Sequence, residues 1–405
     1  MKPEDVYSKG RQRRKVKESE SWEPYVNFYC YKKGKVMKKE TLCFPQSSIF
    51  CILVICIISF YNFTARAALK NNINLNKSQL PNIVVLTTGG TIAEKIDPAT
   101  GGAVPAVSGN DLIAAVPGLE KIANISVVEF CNIDSSQMTP AIWRNISIKA
   151  DKILKNPEID GMVITHGTDT MAEGAFFLET TLKSTKPVVF TGAMRSASDL
   201  SPDGPANLYN AVLQAGSQVA KDWGVTLVLN QYINSARYVI KDNTTNVQTF
   251  DSGDYGYLGY IVGKKVIPLN LVLVKRKVPL TKQLPEVPLF FSYAGDNGRH
   301  IRHAVDTGAK GLVVIGVGAG NVNEEVFKAI KYALSKNIPV VAGSRVRHGG
   351  IYALYGDKGG GTTLVSAGVI LSGDLSPFKA RLLLMLAIAQ KDMTIKKIKE
   401  LFKMK

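Results

Sequence analysis

Four short runs, at residues 82–86, 161–165, 187–190 and 225–230, are predominantly apolar along their length instead of alternating apolar with polar residues. A strand of that kind is buried on both faces, and a parallel sheet covered by helices on each side is the arrangement that buries both. Helix-like stretches at 171–182 and 206–220 fall between the runs. The fold class expected is therefore α/β: two α/β domains, a larger N-terminal and a smaller C-terminal one, each with a mostly parallel sheet flanked by helices. In open sheets of this class, ligands sit beyond the carboxyl ends of the strands. Three of the runs lead directly into turns rich in Gly and hydroxyl side chains, and a site is expected where those turns converge.

A chain of 405 residues is long enough for two domains. Pro268, Pro279 and Pro285 frame a stretch containing Lys275, Arg276 and Lys277, which reads as a connection between domains. The expected boundaries are 81–270 for the first domain, 271–286 for the linker and 287–405 for the second. Strands at 287–293, 311–317, 339–342 and 369–371 and a helix at 321–334 build the second domain. Another helix starts at Ser376-Pro377, a capping hydroxyl followed by proline in the first turn. The last helix is expected to pack through Ile395, Ile398, Leu401 and Phe402.

Upstream of residue 81 the chain changes character. The apolar run 49–60 is close to the ~7–15 residues of a signal-peptide core and short of the ~20 that span a bilayer. Met37-Lys38-Lys39 precedes it and Ala65-Arg66-Ala67 follows it, in the order an export signal requires. The expectation is a signal peptide at 37–67 behind a non-native or disordered extension at 1–36, with a signal anchor as the alternative, and a linker at 68–80. Periplasmic or secreted placement follows, or attachment to the outer side of a membrane if the segment stays uncleaved. Of the formal net charge of +17, residues 1–80 hold +9 (15 Lys or Arg against 6 Asp or Glu). No dense basic block is left for the rest, which argues against a nucleic-acid partner. Four of the five cysteines also lie in this segment, and Cys131 stands alone beyond it, so the folded part cannot close an internal disulfide.

The chemistry-bearing residues sit at the strand ends. Thr88-Gly89-Gly90-Thr91-Ile92-Ala93 takes a strand through two glycines to a hydroxyl. The glycines permit backbone geometries closed to other residues and let a ligand approach closely. A phosphate-binding loop is excluded, because neither its Lys-Ser/Thr nor a GxGxxG spacing is present. Thr165-His166-Gly167-Thr168-Asp169-Thr170-Met171 brings a second hydroxyl and a carboxylate to the start of a helix, where Asp169 has the alternative of serving as a cap. A threonine hydroxyl is a weak nucleophile until a base takes its proton. Lys241 is the candidate base; by itself a lysine at such a position is more often a surface lysine.

In combination these segments resemble the bacterial-type L-asparaginase family, which includes the glutaminase-asparaginases. Gly192-Ala193-Met194-Arg195, Ser201-Pro202-Asp203-Gly204-Pro205-Ala206-Asn207-Leu208-Tyr209-Asn210-Ala211 and Asn243-Thr244-Thr245 extend the match. The resemblance runs from about residue 81 to the C-terminus. It implies hydrolysis of L-asparagine to L-aspartate and ammonia through a covalent acyl-threonine, with L-glutamine, giving L-glutamate, as a second candidate substrate. By the same resemblance Thr91 is the nucleophile, and Thr168, Asp169 and Lys241 form a second catalytic group that activates Thr168 or a water. Ser135 and Ser136 match the loop that holds the substrate's α-carboxylate. Asp169 would hold the α-ammonium, and Ala193 would offer its carbonyl near the amide. A homotetramer with sites between subunits is also implied.

The sequence departs from the family pattern in three places. The lid at 94–105 holds no tyrosine to polarise the nucleophile, so Glu94 or a tyrosine from elsewhere must serve. Tyr293-Ala294-Gly295-Asp296-Asn297 and Val346-Arg347-His348-Gly349-Gly350-Ile351-Tyr352 depart from regions that in the family reach a neighbouring site. The competing expectation is an exported amino-acid-binding protein that has lost catalysis along with the lid tyrosine. No cofactor and no metal are expected, since the four histidines His166, His300, His303 and His348 are scattered.

Overall fold

A computed structural model describes residues 80–272 and 276–403. The expectations for segments 1–36, 37–67 and 68–79 fall outside these residues. The larger half opens on β1 (Asn82–Thr87), then a hairpin of β2 (Glu94–Ile96) and β3 (Ala103–Pro105). It continues through α1 (Gly109–Ala114), β4 (Asn124–Glu129), α2 (Pro140–Leu154), β5 (Gly161–Thr165), α3 (Met171–Thr181), β6 (Val188–Thr191), α4 (Gly204–Ala215), β7 (Val225–Leu229) and β8 (Tyr232–Ser235). A small hairpin of β9 (Ile240–Lys241) and β10 (Phe250–Asp251) follows, then β11 (Gly259–Val262) and β12 (Lys265–Pro268).

Eight of these strands form one sheet in the order β12-β11-β8-β7-β6-β5-β1-β4. From β4 to β7 every pairing is parallel; β8, β11 and β12 extend the sheet antiparallel. The five parallel strands carry the expected β-α-β pattern. Their side chains divide between two cores, as strands apolar along their length must: Val84 and Leu86 of β1 face one side, Ile83 and Val85 the other. The antiparallel extension is invisible in the sequence because its first turn breaks the usual rule. Asn230 and Gln231 both take left-handed backbone (φ 47° and 69°) between β7 and β8, where a two-residue hairpin normally advertises itself with glycine. For the same reason β7 ends at Leu229, not at Asn230.

The smaller half carries β13 (Leu289–Phe291), α5 (Arg299–Asp306), β14 (Leu312–Gly316), α6 (Glu324–Ser335), β15 (Val340–Ser344), α7 (Gly361–Ala367), β16 (Ile370–Leu371), α8 (Pro377–Ile388) and α9 (Ile395–Phe402). Its four strands form a wholly parallel sheet in the order β13-β14-β15-β16. Helix α8 starts at Pro377 as read, although the Ser376 side chain makes no capping bond. In α9, Ile398 and Phe402 are buried but Ile395 is 45% exposed. The expected stripe is thus shortened, because the helix starts in solvent at Ile395.

One apolar cluster joins the two halves. Phe176 and Phe177 of α3 belong to the same buried group as Leu382 and Leu386 of α8 and Val313 of β14. Loss of the fully buried Phe177 ring would cost about 3–5 kcal/mol. Helix α3 is therefore fixed from both sides, and the turn at its start, which holds Thr168 and Asp169, is fixed with it.

Candidate active site

Three turns meet at the carboxyl ends of β1, β5 and β4, and glycines let them meet. Gly90 takes φ 83°, and a Cβ there would lie 2.2 Å from the Gly167 Cα. A Cβ on Gly167 would in turn lie 2.6 Å from the Ser135 Oγ. No side chain fits at either position without moving backbone. The strand ends are tied together as well: Thr88 donates from both its N–H and its hydroxyl to the Thr165 carbonyl, at 3.1 and 2.8 Å. The Ile133 N–H donates to the Thr88 carbonyl at 3.1 Å.

Within this frame the Lys241 Nζ lies 2.9 Å from Thr168 Oγ1 and 2.6 Å from Asp169 Oδ1. Thr168 is buried and Lys241 largely so, while the Asp169 side chain is 58% exposed. Asp169 engages the lysine, and no side-chain capping bond is made at the start of α3. Ser135 is buried; its hydroxyl accepts from the Asp169 N–H at 3.2 Å and its carbonyl accepts from Thr170 Oγ1 at 2.8 Å. Its own hydroxyl hydrogen stays available to a ligand. Ser136 is exposed beside it, and Ala193 is buried just after β6.

Thr91 opens a single 3-10 turn that ends at Ala93, and the chain then enters the β2 hairpin at Glu94. The Glu94 side chain is buried, three residues after Thr91 across that single turn. Burial pushes its carboxyl above the ordinary glutamate range. The Thr91 side chain acts in the opposite direction, and the nearby Asp134 and Asp169 add to the rise.

The segment that carries Lys241 is anchored to the smaller half, chiefly by Arg237, Asp374 and Lys379, which sequence reasoning did not single out. Arg237, four residues before Lys241, makes a two-pronged ion pair with Asp374 (Nε to Oδ2 3.0 Å, Nη2 to Oδ1 2.6 Å), and both side chains are buried. Lys379 of α8, also buried, donates to the carbonyls of Arg237 and Val239. Burial lowers the Lys379 ammonium and raises the facing Glu173 carboxyl. Arg347 reaches Asp242 and Asp251 on the β9–β10 hairpin, and His348 Nδ1 lies 3.0 Å from Asp254. The spacing from Arg237 to Lys241 carries no motif, and Asp374 sits in a plain strand-to-helix turn, so the sequence offers no signal for this anchor.

His166 underlies the second turn. Its Nδ1 lies 2.7 Å from the Gly167 carbonyl and its Nε2 accepts from Trp143 Nε1 at 3.3 Å. Those partners require a proton on Nδ1 and a neutral ring, and full burial pulls its pKa down to about 4. A cleft of about 690 Å³ opens beside Asp169 and Lys241 and reaches Tyr255, Arg345 and Arg347; Thr91 lies outside it. Among the described residues no group of three or more His, Cys, Asp or Glu is placed to hold a metal. No described helix is long and apolar enough to cross a membrane.

The family model for the asparaginase N-terminal domain matches residues 82–270, and that for the glutaminase/asparaginase C-terminal domain matches 286–402. L-asparaginase 2 of Escherichia coli is 39% identical over 82% of this chain and 96% of its own length. A probable periplasmic L-asparaginase of Haemophilus influenzae is 39% identical over 78% of this chain and 90% of its own length. The crystal structure of a probable cytoplasmic L-asparaginase from Campylobacter jejuni aligns with a TM-score of 0.72 and 41% identity, over 80% of this chain and 99% of that one. The scaffold and these relatives together define a two-domain α/β amidohydrolase. The chain belongs to the asparaginase family.

Proposed function

We propose that this chain hydrolyses L-asparagine to L-aspartate and ammonia through a covalent acyl-threonine on Thr91, and that L-glutamine is a further substrate. The observation that carries this reading is the set Thr168, Asp169 and Lys241, bonded to one another and packed by the Gly90–Gly167 contact against the turn that bears Thr91. A hydroxyl, an ammonium and a carboxylate bonded to one another, with the turn that bears Thr91 packed beside them, suit an amide borne on a zwitterionic amino acid. Thr91 Oγ attacks the amide carbon, ammonia leaves, and a water activated by Thr168, Lys241 and Asp169 releases the acid. Ser135, Ser136 and Asp169 bind the backbone charges of the substrate, and the Ala193 carbonyl faces its amide.

Ammonia release from asparagine, glutamine and their D-forms, measured side by side for wild type and Thr91→Ala, tests the reading. Release from L-asparagine that vanishes in Thr91→Ala while the fold is kept is expected. Saturable binding of asparagine by wild type without release would instead favour an amino-acid-binding protein.

Two finer features belong to the same reading. The 49–60 run and Ala65-Arg66-Ala67 support export, with mature protein starting near Ala68; N-terminal sequencing of protein from exporting cells tests that. The assembly is a homotetramer. Exposed Tyr352, Leu354 and Tyr355, just beyond Arg347 and His348, support a subunit contact there, and light scattering of the purified protein tests it.

A further inference from the structure

Glu94 is an oddity on burial grounds. It begins an edge hairpin whose next two residues, Lys95 and Ile96, are exposed, yet Glu94 itself is 5% exposed. The hairpin fixes that inward turn. Glu94 pairs with Pro105 across the β2–β3 ladder, the Ala197 N–H donates to the Glu94 carbonyl at 3.3 Å, and the Ile96 N–H donates to Ser198 Oγ at 3.3 Å. Among the described residues no lysine, arginine or histidine forms a salt bridge with Glu94; the charged groups that face it are Asp134 and Asp169, both acidic. A buried carboxylate without a cation is costly; this one lies directly after the single turn that Thr91 opens, and the Thr91 side chain is the group that lowers its carboxyl.

We propose that the Glu94 carboxylate is the general base for Thr91, the role for which this lid supplies no tyrosine. The inference rests on Thr91 being the nucleophile. In the acylation step the Thr91 Oγ–H bond breaks, its proton passes to Glu94, and the Oγ electron pair forms the bond to the amide carbon. When the tetrahedral centre collapses, the C–N bond breaks and the nitrogen leaves as ammonia with the proton from Glu94. In the second step the water held by Thr168, Lys241 and Asp169 attacks the acyl carbon and its O–H proton passes to Glu94; the ester C–O bond then breaks and Glu94 returns that proton to Thr91 Oγ. Neither an oxidant nor a metal enters the balance. A carboxyl lifted by burial and by two like charges is a stronger base than an exposed one, closer to the working pH that general-base catalysis favours.

Replacement by the neutral isostere decides the matter. In Glu94→Gln, kcat on L-asparagine should fall by about 10²–10⁴-fold, with KM within about threefold of wild type, because Gln fills the same space without accepting a proton. The acidic limb of the wild-type kcat/KM profile should vanish, and Glu94→Asp should retain a displaced limb. Thermal unfolding of each variant checks the fold; if Glu94→Gln does not fold, the limb in Glu94→Asp decides alone, an unchanged one overturning the proposal. Turnover lost in Thr91→Ala but kept within threefold in Glu94→Gln, with the same acidic limb, would overturn the proposal and leave the nucleophile standing. Turnover kept in Thr91→Ala would remove the nucleophile assignment and this proposal together. Acid quench followed by mass spectrometry of the peptide carrying Thr91 reads the acyl group directly.

Discussion

The Nζ of Lys241 and the Oγ1 of Thr168, 73 residues apart in the chain, lie 2.9 Å from each other. Removing the amine while keeping the stem separates its chemistry from its packing. Lys241→Met should lower kcat by about 10²–10⁴-fold and leave thermal stability near wild type, since the pair with Asp169 is half open to water. Steady-state ammonia release checks this. A rate within threefold of wild type would place Lys241 outside the chemistry.

A methyl group at the meeting point of the turns should be intolerable. Gly90→Ala adds a Cβ 2.2 Å from backbone at a position with φ 83°. Backbone strain and overpacking together should cost more than about 3 kcal/mol. Soluble yield and melting temperature report it; a variant that melts with wild type and turns over normally would contradict the close approach of the two turns.

Acid should weaken the fold through His166. Its ring is neutral in the folded chain, with a pKa of about 4 against 6.5 when exposed. Between those values the unfolded chain binds a proton that the folded chain refuses, so the stability contribution is complete above pH 6.5 and is lost as the pH falls toward 4. From pH 7.5 to 5 the loss from this one group is about 2 kcal/mol. Urea unfolding at both pH values, wild type against His166→Gln, should show a smaller pH difference in the variant.

Breaking the Arg237–Asp374 pair from one side should cost about 3–5 kcal/mol, because it strands a buried charge. Asp374→Asn should therefore melt lower. At temperatures where it stays folded it should also lose kcat, through a less well-held Lys241. Normal kcat in a folded Asp374→Asn variant would show that the lysine needs no such anchor.

How much of this was legible in the sequence depends on range. The two Gly-Thr turns announce themselves locally, as do the strands that feed them, because burial on both faces leaves an apolar run and a close approach leaves glycine. Helix α2 is legible on the same local grounds: Thr139 caps it, Pro140 follows, and Trp143, Ile146, Ala150 and Leu154 are buried at helical spacing. Strand β4 hides because it lies at the sheet edge and keeps half its residues in water. Arg237, Asp374 and Lys379 were beyond reach for a different reason. Each reads as an ordinary surface charge, and what makes it special is a partner more than 130 residues away. Glu94 lies between these cases: the missing tyrosine drew attention to it, but its inward turn depends on the hairpin register with Pro105.

The anchoring of the β9 hairpin by Asp374 and Lys379 bears on how such a chain can be recombined. An N-terminal fragment would inherit both threonines and Asp169, yet its lysine would hang on a ribbon cut loose from its moorings. A graft onto a foreign C-terminal half succeeds only where that half brings its own acid and amine to the same two spots. Inheritance of the reaction is therefore indivisible, even though the sheets look like separable modules.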